Sequence, residues 1–377
     1  MINKFINNFF NSEKAVGFIL IFCTAFSLII SNSSLGLHYI HFWETNFQDH
    51  SIAHWINDGL MAIFFLLIGL ELEREVYVGE LSNLKIALFP IISAIGGVVV
   101  PATIFFIYNY GSPTQSGAGI PMATDIAFAI GMLALLGKSV PPSLKIFLTA
   151  LAVIDDLCAI FVIAFFYTDS ISFVYLAIAL GIFILLLIMR KLKVNVLLPY
   201  LIGGIGMWYC MLHSGVHATL SGVLLAFAIP FGKGDEKSPS YKLQHLLHKP
   251  VSFIIIPLFA LANTCIVFGY NWTEGLSTRL GSGIISGLVI GKPFGILLFS
   301  SIAVFTGICK LPEGLKWKHI TGVSLLAGIG FTMSIFITLL AFDNPQYIDQ
   351  SKIAIIFAST IAAILGLFIL NIILRNK

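Results

Sequence analysis

Long apolar stretches punctuated by short polar ones dominate the chain, and they repeat too often for a water-soluble core. Apolar segments fall at roughly 15–31, 57–72, 86–107, 119–137, 143–167, 171–189, 195–211, 214–230, 251–269, 281–305, 320–342 and 352–373. Most approach the ~20 residues needed to cross ~30 Å of hydrocarbon as a helix. The pattern predicts an all-α polytopic membrane protein with about twelve transmembrane helices. No low-complexity segment or linker divides the chain, so residues 1–377 read as a single transmembrane domain. The polar start, Met1 to Lys14, is followed by an apolar run with no small-residue cleavage site, and reads as a retained first helix.

Composition agrees with the pattern. Hydrophobic residues make up 58% of the 377 and charged residues only 10%, against about 25% in a soluble domain. A soluble enzyme is excluded. The net charge of +3 is too small and dispersed to suggest nucleic acid. Five cysteines, odd in number and without ligand spacing, read as small apolar residues, so neither a disulfide framework nor zinc is expected.

Position matters more than the sum of charge. Eighteen of the 21 Lys and Arg fall in connections on one side, from Lys4 and Lys14 through Arg74, Arg190 and Lys249 to Arg375 and Lys377; only Arg279 and Lys352 fall on the other. By the positive-inside rule both termini are expected in the cytoplasm. Residues 32–56 then lie outside, free of Lys and Arg, and read as an interfacial hairpin or helix, or as plain loop.

Four ionisable groups lie close to mid-span: Asp125, Asp155, Asp156 and Lys292. Each costs at least ~2.5–3.5 kcal/mol to insert and is a functional candidate for that reason. The bland alternatives are a snorkelling Lys292 and neutral, structural aspartic acids. Two adjacent aspartates with a third on another span resist that account. Neighbours on a helix point about 100° apart, so one of Asp155 and Asp156 can pair with Lys292 while the other faces a cavity. Desolvation favours the neutral carboxylic acid and a nearby cation favours the carboxylate. Such a site holds a proton or a small hard cation in competition, which is the thermodynamic core of an antiporter. No phosphate-binding GxxxxGK[ST] motif is present, so no ATP-driven pump is indicated. No cofactor is called for.

Two spans are poor continuous helices. Gly119, Pro121 and Gly131 flank Thr124 and Asp125 in the first; Gly322, Gly328 and Gly330 precede Phe331-Thr332-Met333-Ser334 in the second. Paired interrupted spans in two halves point to a transporter's midplane site and to repeats of inverted topology. Half-helix ends carry partial charges, so Asp125 and Lys292 are each suited to neutralise one pair of ends.

Together these motifs resemble the NhaA family of bacterial Na+/H+ antiporters. The residues concerned are Ala-Thr-Asp-Ile-Ala-Phe-Ala at 123–129, Ile-Asp-Asp-Leu at 154–157, Ser-Gly-Val-His-Ala-Thr-Leu at 214–220, Gly-Lys-Pro-Phe-Gly at 291–295 and Gly-Ile-Gly-Phe-Thr-Met-Ser at 328–334; Asn57-Asp58-Gly59 through Glu71 also fits. The resemblance implies electrogenic export of Na+ or Li+ for a larger number of H+ across the bacterial inner membrane, serving pH homeostasis and salt tolerance. It implies Asp156 as principal Na+ ligand and proton carrier, with Asp155 close by and paired to Lys292 until the cation binds. It puts Thr124 and Asp125 where two discontinuous helices cross. Glu71, Arg74, Glu75, His245 and His248, with His217, resemble the cytoplasmic region linked to activation at alkaline pH, histidine being the side chain suited to such sensing. A homodimer formed through the first external loop, suiting residues 43–56, is a further implication.

One departure from the family pattern is Gln244, where a glutamate commonly precedes the two histidines. It bears on the pH profile and not on transport. The plainer reading of His245 and His248 is of solvated residues near a helix start. Among rivals, an intramembrane aspartyl protease would need a Gly-x-Gly-Asp arrangement at its membrane aspartates, and none of Asp125, Asp155 and Asp156 is preceded by it; a passive cation channel would show conductance without proton coupling. A Na+-coupled organic-anion symporter of similar fold would need more basic or hydroxyl-rich groups than the one cation expected to be buried.

Overall fold

The computed structural model describes residues 13–48, 50–167, 171–269 and 272–375; Lys4 and Lys377, used in the charge reading, lie outside them. Almost everything described is helix. In chain order these are α1 (Glu13–Ser31), α2 (Gly36–Glu44), a hairpin of β1 (Asn46–Phe47) and β2 (His50–Ser51), α3 (Ile52–Tyr77), α4 (Leu84–Asn109), a 3-10 segment Gln115–Met122 leading to α5 (Ile126–Leu135), α6 (Pro142–Phe166) and α7 (Phe173–Lys191). There follow α8 (Leu197–Leu212), α9 (Leu220–Ala228), α10 (Pro239–Asn263), the short α11 (Trp272–Ser277), α12 (Arg279–Phe305), α13 (Trp317–Ala327), α14 (Phe331–Ala341) and α15 (Pro345–Arg375).

Nine of these stretches are long and apolar enough to cross a membrane, and α13 with α14 makes a tenth, bent by 46° at Gly328–Gly330. The 16-residue α8 is apolar but shorter than a full span and α9 has only nine residues, so among the described residues nine or ten of the expected twelve helices are long and apolar enough to cross. The protein is an all-α polytopic membrane protein. Boundaries moved where polar residues prolong a helix. The ninth expected span begins at Pro239 rather than near 251 and the last at Pro345 rather than 352. Lys352, expected in an external connection, therefore lies inside α15 and is buried, a second buried cation that hydropathy did not reveal. Residues 32–56, open between helix, hairpin and loop, form both α2 and the hairpin.

Two compact units result. The first comprises residues up to Tyr39, Asn83–Ala159 and Asn263–Lys377. Within it α4 and α12 approach to backbone contact: a Cβ on Gly96 would stand 2.2 Å from the Gly295 carbonyl oxygen, and one on Gly295 would stand 2.1 Å from that of Gly96. Small residues permit this approach where lipid offers helices no hydrophobic drive to associate. The second glycine of Gly-Lys-Pro-Phe-Gly is thereby explained, and Lys292 is carried inward with it. Just before Lys292, residues Gly287–Gly291 form a widened, π-type turn, as Val251–Ile255 do in α10. In both, a proline follows two residues later, Pro293 and Pro257. Proline lacks the amide proton and its ring crowds the carbonyl four residues back, so the preceding turn opens.

The second unit comprises Ile40–Ser82 and Ile160–Ala262. Gly69 and Gly222 bring α3 and α9 together, a Cβ on Gly222 standing 2.1 Å from the Ala62 carbonyl oxygen. Arg190, a mere sidedness marker in the sequence, is structural: Nη2 lies 3.1 Å from Oε1 of the buried Glu73, and Nη1 donates to the Phe227 carbonyl at the end of α9. A cation at a helix carboxyl end is stabilised by the unsatisfied carbonyls there.

Candidate functional site

The site of the first unit is built on two interruptions. Between Met122 and Ile126 the backbone is extended, Ala123 and Asp125 having ψ of 150° and 95°. The second interruption, Gly328–Gly330, separates α13 from α14. The two meet directly, the Asp125 amide donating to the Ile329 carbonyl at 2.7 Å. Free backbone groups in hydrocarbon must find partners inside the protein, and here side chains supply them.

Asp125 serves two helix amino ends. Its Oδ1 accepts from the Phe128 amide of α5 at 2.9 Å, and its Oδ2 from the Thr332 amide of α14 at 3.1 Å and from the Thr332 hydroxyl. A carboxylate is favoured at each by the helix dipole. Ser359 of α15 accepts from the Phe331 amide at 3.1 Å, and Ser334 donates to the Ile120 carbonyl at 2.7 Å. The carboxyl ends are divided between two residues. Lys292 Nζ donates to the Met122 carbonyl, while Thr124 Oγ1 lies 2.9 Å from the Ala327 carbonyl. The pairing expected from sequence thus holds for Asp125 at two amino ends, but Lys292 takes only one carboxyl end and Thr124 the other.

Lys292 and Asp155 form an ion pair, Nζ to Oδ2 at 2.8 Å, with neither side chain exposed. Thr124 Oγ1 stands 2.8 Å from the same Oδ2, so its one proton has two acceptors, Asp155 and Ala327. Oδ1 of Asp155 is buried without a hydrogen-bond partner among the described residues. Asp156 is fully buried (0% exposed), about 100° round α6 from Asp155. Thr332, Ser334 and Ser359 were not singled out as site residues. Thr332 and Ser334 carried a faint signal, hydroxyls just after a run of glycines; Ser359, one serine in a long apolar helix, carried none.

In the second unit, Arg74 lies over the Tyr241 ring, Cζ 5.3 Å from its centroid, and Tyr241 stacks on His245 at 5.7 Å and 7°. This joins the end of α3 to α10, with Glu75 folded back against Gly79, Glu71 half-buried and His248 exposed three residues after His245. Tyr241 was not anticipated. His217 is not part of this group. Its Nε2 is 2.6 Å from the Tyr167 carbonyl, and it acts on the carboxylate of Asp58, at the opposite end of α3 from Glu71 and roughly 20 Å away at 1.5 Å per residue.

The sequence profile of the family described as Na+/H+ antiporter 1 matches residues 7–370. The chain belongs to that family. It is 63% identical over 376 residues to the Na+/H+ antiporter NhaA 1 of Flavobacterium johnsoniae, covering 100% of this chain and 99% of that one. It is 61% identical over 375 residues to NhaA of Flavobacterium psychrophilum, covering 100% and 98%, and 48% identical over 379 residues to NhaA of Vibrio alginolyticus, covering 100% and 99%. The sodium proton antiporter MjNhaP1 of Methanocaldococcus jannaschii shares the fold, with a TM-score of 0.54 at 15% identity over 98% of this chain and 100% of that one.

For this antiporter-family chain the double capping by Asp125 has a measurable consequence. Asp125→Asn removes the charge that both helix amino ends share and is expected to cost about 1–2 kcal/mol of stability, with weaker cation affinity. Thermal unfolding and Na+ titration of the purified variant check it, and unchanged values in both would refute the capping role.

Proposed function

We propose that the chain exports Na+ or Li+ in electrogenic exchange for more than one H+, across the bacterial inner membrane, with activation at alkaline pH. The observation that carries this is the Lys292–Asp155 ion pair beside the fully buried Asp156 at the meeting point of two interrupted helices. Na+ and H+ compete for the Asp156 oxygens. Na+ in the site also takes oxygen from Asp155 and displaces the Lys292 ammonium, which keeps its bond to the Met122 carbonyl and so stays solvated by protein. Loss of the ion pair frees Lys292 to give up a proton, and Asp156 gives up another, so one cation exchanges for two protons. Both units act in one transporter domain with cytoplasmic termini, and Arg74, Tyr241 and His245, near Glu71, Glu75 and His248, form the regulatory region. A homodimer joined by the external hairpin is part of this reading. Nothing in the relatives' names supports organic-anion symport.

The test uses proteoliposomes with a trapped pH dye at external pH ~8. A pulse of Na+ or Li+ is expected to evoke proton flux and K+ none, with the rate rising when an inside-negative or inside-positive potential is imposed in the direction of charge movement. Flux that ignores imposed potential would refute unequal exchange, and absence of flux with every cation would refute antiport.

A further inference from the structure

A second cluster of titratable groups lies at the head of α3, on the face that the charge distribution makes external, and the transport site does not use it. His54 Nε2 is 3.1 Å from Asp58 Oδ2, one helical turn on. The His50 ring stacks on that of His54 with centroids 4.2 Å apart and planes 20° from parallel. His217 also acts on the Asp58 carboxylate, as do both other histidines. Its Nε2 faces the Tyr167 carbonyl oxygen, so Nε2 carries the hydrogen and Nδ1 is the position left to accept a proton. The same residues fasten the hairpin. Phe47 pairs with His50 across its two strands, the Ile52 amide donates to the Thr45 carbonyl, the Trp55 indole donates to the Phe47 carbonyl at 3.0 Å, and the Trp208 indole to that of Asp58 at 3.1 Å. Of the other groups nearby, His213 turns to Tyr209 and Tyr175, Glu44 ends α2, and Asp49 is outside the described residues.

We propose that His50, His54, Asp58 and His217 form a proton-responsive joint that docks the 46–51 hairpin on α3 at alkaline external pH and releases it on acidification. The Asp58 carboxylate pairs with His54, on which the His50 ring stacks, and it is also within electrostatic range of His217. A single proton on His54 completes its pair with Asp58. A second, on His50, places cation on cation at stacking distance, and one on His217 competes for the same carboxylate, so further protons push His50 and its strand away. The joint answers to the compartment that supplies protons, at the opposite end of α3 from Arg74 and His245. It stands apart from the antiport reading, since it is read without any transport.

Hydrogen exchange of residues 45–52 in the full chain, in lipid nanodiscs and corrected for intrinsic rate, tests it at pH ~8.5 and ~5.5, either side of the histidine range. Protection is expected to fall by about 5-fold or more at the lower pH. In His50→Phe, which keeps the stacked ring without a titrating nitrogen, it should stay within about 2-fold. No fall in the native chain, or an equal fall in His50→Phe, overturns the joint. Should that variant be loose at both pH values, His54→Gln decides: it leaves the His50 ring and takes the proton from the stack, and a fall that persists overturns the proposal while its loss supports it.

Discussion

Replacing Asp156 by Asn is expected to reduce Na+-evoked proton flux to the level of empty liposomes. The asparagine keeps the volume and one carbonyl oxygen but can neither carry a proton nor balance the charge of a desolvated cation. Removing the charged partner of a buried ion costs about 3–5 kcal/mol, and each ~1.4 kcal/mol is tenfold in affinity, so binding should weaken by about 100-fold or more before the missing proton is considered. The side chain is fully buried in α6, so bulk water cannot take its place as ligand. Dye-monitored flux at matched protein content is the measurement. Flux surviving in the variant would transfer the carrier role to Asp155 or Asp125.

Lys292→Met is expected to lower the stability of the folded chain by about 3–5 kcal/mol, because it strands the Asp155 carboxylate in a dry interior. The pair is well suited to the test, with Nζ 2.8 Å from Oδ2 and both side chains at 0% exposure. The double variant Lys292→Met, Asp155→Asn should recover most of the loss, since a buried pair replaced as a unit is often neutral. Denaturation of purified protein in detergent compares the three. If the single variant were as stable as the native chain, Lys292 would not be holding a charged Asp155. If the double variant were no better than the single, the cost would lie in the lost bond to the Met122 carbonyl.

The apolar periodicity and the distribution of lysines were sufficient to read the class, most of the spans and the four charges in the wrong solvent, because hydropathy is local and each span must satisfy it alone. The interruptions at Asp125 and at Gly328–Gly330 were equally legible, since glycine and proline act on the backbone where they stand. Helix ends were less so. Lys352 looked like a loop residue because no apolar run precedes it, yet α15 starts seven residues earlier and buries it.

What sequence alone determined about this protein is therefore its solvent, most of its spans and its list of candidate charges. The tertiary structure decided the partners that periodicity and spacing left open: Asp155, as the family resemblance implied, rather than Asp156 against Lys292, Asp125 reaching Thr332 across 207 positions, Thr124 at the end of α13, and His217 near Asp58 instead of His245. The physical reason is range. A residue's burial and helix phase follow from its neighbours in the chain, whereas an ion pair or a cap depends on the direction and depth at which distant helices pass.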